Sequence, residues 1–179
     1  GVRSRIKMPD TTARPAIPGV LLKARPIDGQ LADRLADPVP DGIELYVHES
    51  DVAGDAVDDR WRQILRARFA SVAHLVPSAF RWIVEGPVWA LDGELFGLGS
   101  DRRIDRLLVE RLVTLATDLG AWAVNIHAVD GSNDPGVVNA ASRTRAIDRA
   151  VPFLTWYVRT CRDAGVVPLV ENVPPICRM

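Results

Sequence analysis

Three apolar segments of this chain run directly into polar side chains that can bind a metal or move a proton: Phe80 to Glu85, Trp122 to His127 and Val167 to Glu171. A fourth, Ile43 to His48, alternates apolar residues with Glu44, Tyr46 and His48. A charged group placed straight after an apolar strand is costly to bury without a metal, an ion partner or water. Glu171 makes the strongest case, because Val167-Pro168-Leu169-Val170 leads into it and Asn172-Val173-Pro174 follows. His127 stands ahead of a long Gly/Asn/Asp/Pro stretch, where it suits a ligand or proton-transfer role as well as a hydrogen-bonded place in the core. Glu85 precedes Gly86-Pro87, where the chain must turn sharply off its strand.

Side chains alternate across a strand with a period of two. Applied here, the period points Glu44, Tyr46, His48, Glu85, Asn125, His127 and Glu171 to one side. Glu44 reads as an interior carboxylate paired with an arginine or backbone donors, and His74, late in a helix, as structural. His48 reads either as an exposed loop residue or as a rim contact. With Glu85, Asn125 and Trp89, the last residue of the expected third strand, it completes the candidate substrate-binding set. Glu171 and His127 are the candidate catalytic pair, and Glu171 is the candidate metal ligand. Four polar strand ends gathered together describe a water-filled or metal-bearing mouth.

The elements that must position these groups alternate along the chain. Strands are expected at 17–26, 43–48, 80–89, 121–128 and 166–170. Between them, helices are expected behind Asp28, behind Asp58 and Asp59, from Ser100 to Gly120, and from about Ser142 to Gly165. The Ser100–Gly120 helix is marked by Ile104, Leu107, Leu108, Leu112, Leu115 and Leu119 at helical spacing, with an N-cap residue before it and glycine after it. Strands alternating with helices imply right-handed crossovers and a parallel sheet. A (β/α) barrel of TIM type puts its ligands at the carboxyl ends of such strands, and five β/α units make an incomplete one. The domain reading is a flexible leader over 1–16 and a partial barrel over 17–179.

Composition narrows the function classes. Lys+Arg 22 against Asp+Glu 23 gives a formal charge of −1, which supplies no bulk attraction for nucleic acid or an anionic membrane. Cys161 and Cys177 have no CxxC partner and read as free thiols of a reducing compartment. The chain shows no apolar run of membrane-spanning length and no secretory signal, so a cytoplasmic location is expected. Gly97-Leu98-Gly99 lacks the third glycine of a dinucleotide loop, since position 102 is Arg. P-loop, HExxH and GxSxG motifs are absent from the sequence.

Glu85-Gly86-Pro87-Val88, the loop through Phe96 and Gly97, the helix ending Leu119-Gly120-Ala121, Val124-Asn125-Ile126-His127 and Pro168-Leu169-Val170-Glu171-Asn172 form an ordered set. Together, over about residues 17–175, they resemble the xylose isomerase-like TIM barrels, which include sugar phosphate isomerases and epimerases, inosose dehydratases and the endonuclease IV group. The resemblance implies a divalent metal, Mn, Mg, Co or Zn, at the carboxyl end of the barrel. Glu171 matches the strand-five metal ligand, which in epimerases works beside a second glutamate that shuttles a proton next to a carbonyl. His127 matches the strand-four histidine, a zinc ligand in the endonuclease branch and a neighbour of substrate in the sugar branch. Where many relatives carry histidine on strand three, this chain has Glu85, which argues against a trinuclear zinc site.

Relatives take further ligands from strands six to eight, and this sequence stops before them. It is therefore expected to be an amino-terminal portion, or to be completed by a further polypeptide segment or as a homo-oligomer. The expected function is a metal-dependent sugar or polyol isomerase/epimerase, or a related lyase, acting on a small molecule, with no nucleic acid and no membrane. Alternatives are an apurinic endonuclease-like phosphodiesterase and a non-catalytic barrel remnant acting as a binding module. An open doubly wound sheet is the alternative fold, and strand order separates it from a barrel.

Overall fold

A computed structural model describes residues 19–27, 29–54, 59–128 and 140–171. The expected leader at 1–16, Asp28, Asp58, Asn172 and Cys177 lie outside the described residues. The chain alternates β1 (Leu21–Ala24), α1 (Gln30–Arg34), β2 (Gly42–Tyr46), α2 (Arg60–Val72), β3 (Arg81–Glu85), α3 (Arg103–Leu119), β4 (Ala123–His127), α4 (Ala140–Asp163) and β5 (Val167–Glu171).

The five strands form one parallel sheet in the order β1-β2-β3-β4-β5. Each strand is laid beside its predecessor, so the sheet has no point at which the order reverses. That is a barrel progression and excludes a doubly wound sheet. β1 and β5 do not pair with each other, and the sheet is an open, incomplete barrel.

Register decides which side chains share a face. Lys23 lies opposite Glu44, Glu44 opposite Ile83, Ile83 opposite Ala123 and Ala123 opposite Val167. Two residues further along, Tyr46, Glu85, Asn125 and Leu169 form the next row, and His127 with Glu171 the last. Parallel partners project to the same side. The other face presents Ala24, Ile43, Leu45, Trp82, Val84, Val124 and Ile126, all buried beneath helices that contribute Leu65, Leu108, Leu112, Phe153 and Tyr157. Each such aliphatic or aromatic side chain contributes about 1.5–3 kcal/mol on burial. The Tyr157 hydroxyl lies 2.7 Å from the Val124 carbonyl and 3.1 Å from that of Leu169, which fixes α4 against both β4 and β5.

Several elements differ from the sequence expectation. β3 stops at Glu85, and Trp89 sits in the following loop, where it bridges antiparallel to Leu95. The reason is local: Pro87 has no N–H to give to a ladder. β2 stops at Tyr46, so His48 is not a strand residue. It caps a 3-10 turn at Glu49–Val52, accepting from the Ser50 N–H, while the His48 N–H donates to the Asp51 carboxylate at 3.0 Å. Ser100 does not cap α3. Its hydroxyl donates to the buried Asp105 carboxylate, which also receives the Arg102 guanidinium at 2.8 and 3.1 Å, and the N-cap falls at Arg102. A carboxylate with no exposure needs those donors more than the helix end needs a hydroxyl. α4 begins at Ala140 and contains Pro152, and β5 runs one residue further than expected, through Glu171. Gly120 closes α3 at φ 60°, as its place after the last leucine predicts.

Candidate functional site

The carboxyl ends of β3, β4 and β5 are Glu85, His127 and Glu171, so a strand boundary places each group at the mouth. The ladder continues one step beyond the strands and holds these ends in register. Val47 N–H donates to the Glu85 carbonyl at 2.8 Å, Gly86 N–H to that of Asn125 at 2.9 Å, and Ala128 N–H to that of Glu171 at 2.8 Å. One ligand atom from each of Glu85, His127 and Glu171 lies within 4.8 Å of the others. Glu85 and His127 are 1% and 8% exposed, and Glu171 opens to solvent. Asn125, also buried, donates from Nδ2 to Glu171 Oε2 at 3.1 Å, which orients that carboxylate.

A cation enters from β1. Lys23 Nζ donates to Glu85 Oε1 at 2.8 Å and lies 2.6 Å from Oε2, with its own side chain 55% exposed. It also sits 5.4 Å from the centre of the Tyr46 ring. The sequence reading missed Lys23. The signal was present, since it is a lysine inside the apolar run Val20 to Ala24, and the period of two was not carried onto the first strand.

Burial raises the pKa of Glu85, and the hydrogen bond and charge of Lys23 offset that only in part. Lys23 is itself held above its ordinary value: desolvation works against the ammonium, but the Glu85 hydrogen bond and the charges of Glu85, Glu44 and Glu171 outweigh it. Lys23 is thus a cation at neutral pH and not a nucleophilic amine. Desolvation lowers the pKa of His127, so its imidazole is neutral and able to ligate. His127 Nε2 lies 3.2 Å from Glu85 Oε1, close but poorly aligned for a hydrogen bond. Both ring nitrogens are buried without a hydrogen-bond partner among the described residues.

The remaining sequence candidates fall outside this cluster. His48 contacts Ser50 at 2.8 Å and Glu49 at 3.3 Å, and Trp89 is 40% exposed on its loop. No described contact joins either to Glu85, His127 or Glu171. Glu44 shares the face of Lys23 and adds negative charge felt by both Lys23 and Glu85.

No protein-family model matches the chain. No curated protein matches it either. Solved structures do. A Thermus thermophilus protein, in a crystal soaked with zinc chloride, matches with a TM-score of 0.55 and 22% identity over 85% of this chain and 55% of that one. A putative sugar phosphate isomerase/epimerase from Anabaena variabilis matches with a TM-score of 0.55 and 12% identity, over 81% and 46%. A xylose isomerase domain protein from Planctomyces limnophilus matches with a TM-score of 0.52 and 14% identity, over 88% and 55%. The fold is that of an incomplete TIM-type barrel, similar to the corresponding part of these solved structures. At these identities the likeness concerns fold, and the chain spans about half the length of the structures it matches.

Proposed function

We propose that this chain supplies the first five β/α units of a metal-dependent sugar or polyol isomerase/epimerase, or of a related lyase. The observation that carries the reading is the convergence of Glu85, His127 and Glu171 at neighbouring strand ends. A carboxylate and a neutral imidazole suit Mn, Mg, Co or Zn, and His127 has a ring nitrogen free of protein hydrogen bonds to offer such an ion. Glu171 and His127 would hold the ion, and Asn125 would fix the Glu171 carboxylate from behind. When bound, the ion polarises the oxygens of a carbonyl or hydroxyl.

Glu85 faces the same space, and its carboxylate, with a pKa raised by burial, is placed to take a proton from carbon and return it. His48 and Trp89, on the segments that follow β2 and β3, are candidate contacts for a sugar or polyol. The unpaired outer edges of β1 and β5 would be covered by a further segment or by a second copy.

The test is metal stoichiometry. Titration of the purified protein with Mn2+ should give one ion per chain, Asn125→Ala should weaken binding about 10–100-fold, and Glu171→Gln should weaken it more. Three zinc ions per chain would instead favour a phosphodiesterase of the same fold, and no metal would favour a binding module.

A further inference from the structure

Glu85 already has a cation. The Lys23 ammonium lies within 2.8 Å of both Glu85 oxygens, Glu85 is 1% exposed, and the same Oε1 lies 3.2 Å from His127 Nε2. A divalent ion reaching Glu85 from the side of His127 and Glu171 must share those oxygens with a fixed unit of positive charge. Like charges at such separations repel strongly in a partly dehydrated site. Lys23 also lies 5.4 Å from the centre of the Tyr46 ring, and it enters from β1, at the far side of β2 from Glu85.

We infer that Lys23 is a specificity element of the metal site: it occupies Glu85 as an internal cation, confines the ion to Glu171 and His127, and leaves the Glu85 carboxylate for substrate. This rests on the metal reading above. It adds that Glu85, though within ligand distance of the other two groups, is kept out of the coordination shell.

Calorimetric titration of the full chain with Mn2+ alone tests this, with far-UV circular dichroism confirming that each variant is folded. Lys23→Gln should bind Mn2+ at least tenfold more tightly than the wild type, and the gain should vanish in the Lys23→Gln/Glu85→Gln double variant. Lys23→Arg, which keeps the cation, should bind within about threefold of the wild type. Glu85→Gln alone, which leaves the Lys23 cation unbalanced beside the ion, should weaken binding, and the Lys23→Gln/Glu85→Gln double variant should return it to within about threefold of the wild type. Wild-type binding with an unchanged or weaker Lys23→Gln overturns the inference and leaves the metal reading intact. A double variant that differs from the wild type by tenfold or more overturns it in the same way. Binding by no variant, wild type included, overturns the metal reading and the inference with it.

Discussion

Glu85 and His127 titrate in opposite directions from their ordinary values, and each sign has a consequence for stability. Burial raises Glu85, so between the ordinary carboxylate value and its raised one the native state holds more protons than the unfolded chain, and stability falls as pH rises through that window. Lys23 limits the loss. Lys23→Met should cost about 1–3 kcal/mol at pH 7.5, less than for a fully buried pair because the ammonium is 55% exposed, and the cost should shrink by pH 4.5, where a carboxyl raised above that value is mostly protonated. Urea unfolding at the two pH values measures this, and an equal cost at both would contradict it. His127 behaves as a base with a lowered pKa. Its contribution is present above 6.5 and is lost as pH falls below that value through the lowered one. In metal-free protein its ring protons should titrate by NMR with a midpoint below 6.5. At this scale the sequence was legible for Glu85, His127 and Glu171, because each follows an apolar run. It was not legible for Lys23, whose partner stands 62 positions away.

At the scale of elements, α2 and α3 are tied by one carboxylate. Asp118 of α3 receives Arg62 at 2.6 and 2.7 Å and Arg66 at 2.7 and 3.2 Å, and the Arg62 hydrogen bond, foremost among these contacts, holds its pKa down to about 2. An acid with a lowered native pKa stabilises above its unfolded value of 3.8, and the effect is lost as pH falls toward 2. Asp118→Asn should therefore lower stability by about 1–2 kcal/mol at pH 7 and by less near pH 3, measured by thermal unfolding. The sheet has its own tight point. A side chain on Gly42 of β2 would bring Cβ to 2.4 Å from the Arg81 carbonyl oxygen in β3, so Gly42→Ala should cost about 1–3 kcal/mol in urea unfolding. The long leucine-rich helix was readable from its spacing and its closing glycine. The ends of β2 and β3 were not, since Tyr46 to His48 and Glu85 to Trp89 keep apolar or aromatic character past the point where capping and Pro87 end the pairing.

Across the whole molecule, the described sheet leaves β1 and β5 with unpaired outer edges, and both β5 and α4 carry exposed apolar groups. Val167 and Val170 of β5 are 39% and 47% exposed, and Ile147 and Val151 of α4 are 62% and 51% exposed. An open edge beside exposed aliphatic side chains invites pairing with another chain. The 179-residue chain should therefore self-associate as its concentration rises, and Val170→Lys should reduce the association in light-scattering measurements. A monomer unaffected by that change would show that the edge is protected. Among the described residues, no helix is long and apolar enough to cross a membrane. The sequence by itself determined the alternation of strands and helices, the face on which Glu44, Tyr46, Glu85, Asn125, His127 and Glu171 lie, and the polar strand ends, because periodicity and burial cost act over a few neighbouring residues. Only the tertiary structure decided that Glu85, His127 and Glu171 converge, that Lys23 neutralises the first of them, and that His48 and Trp89 stand apart. Those outcomes depend on register between strands that are distant in sequence, and a register is fixed only when the helices pack and the ladder forms.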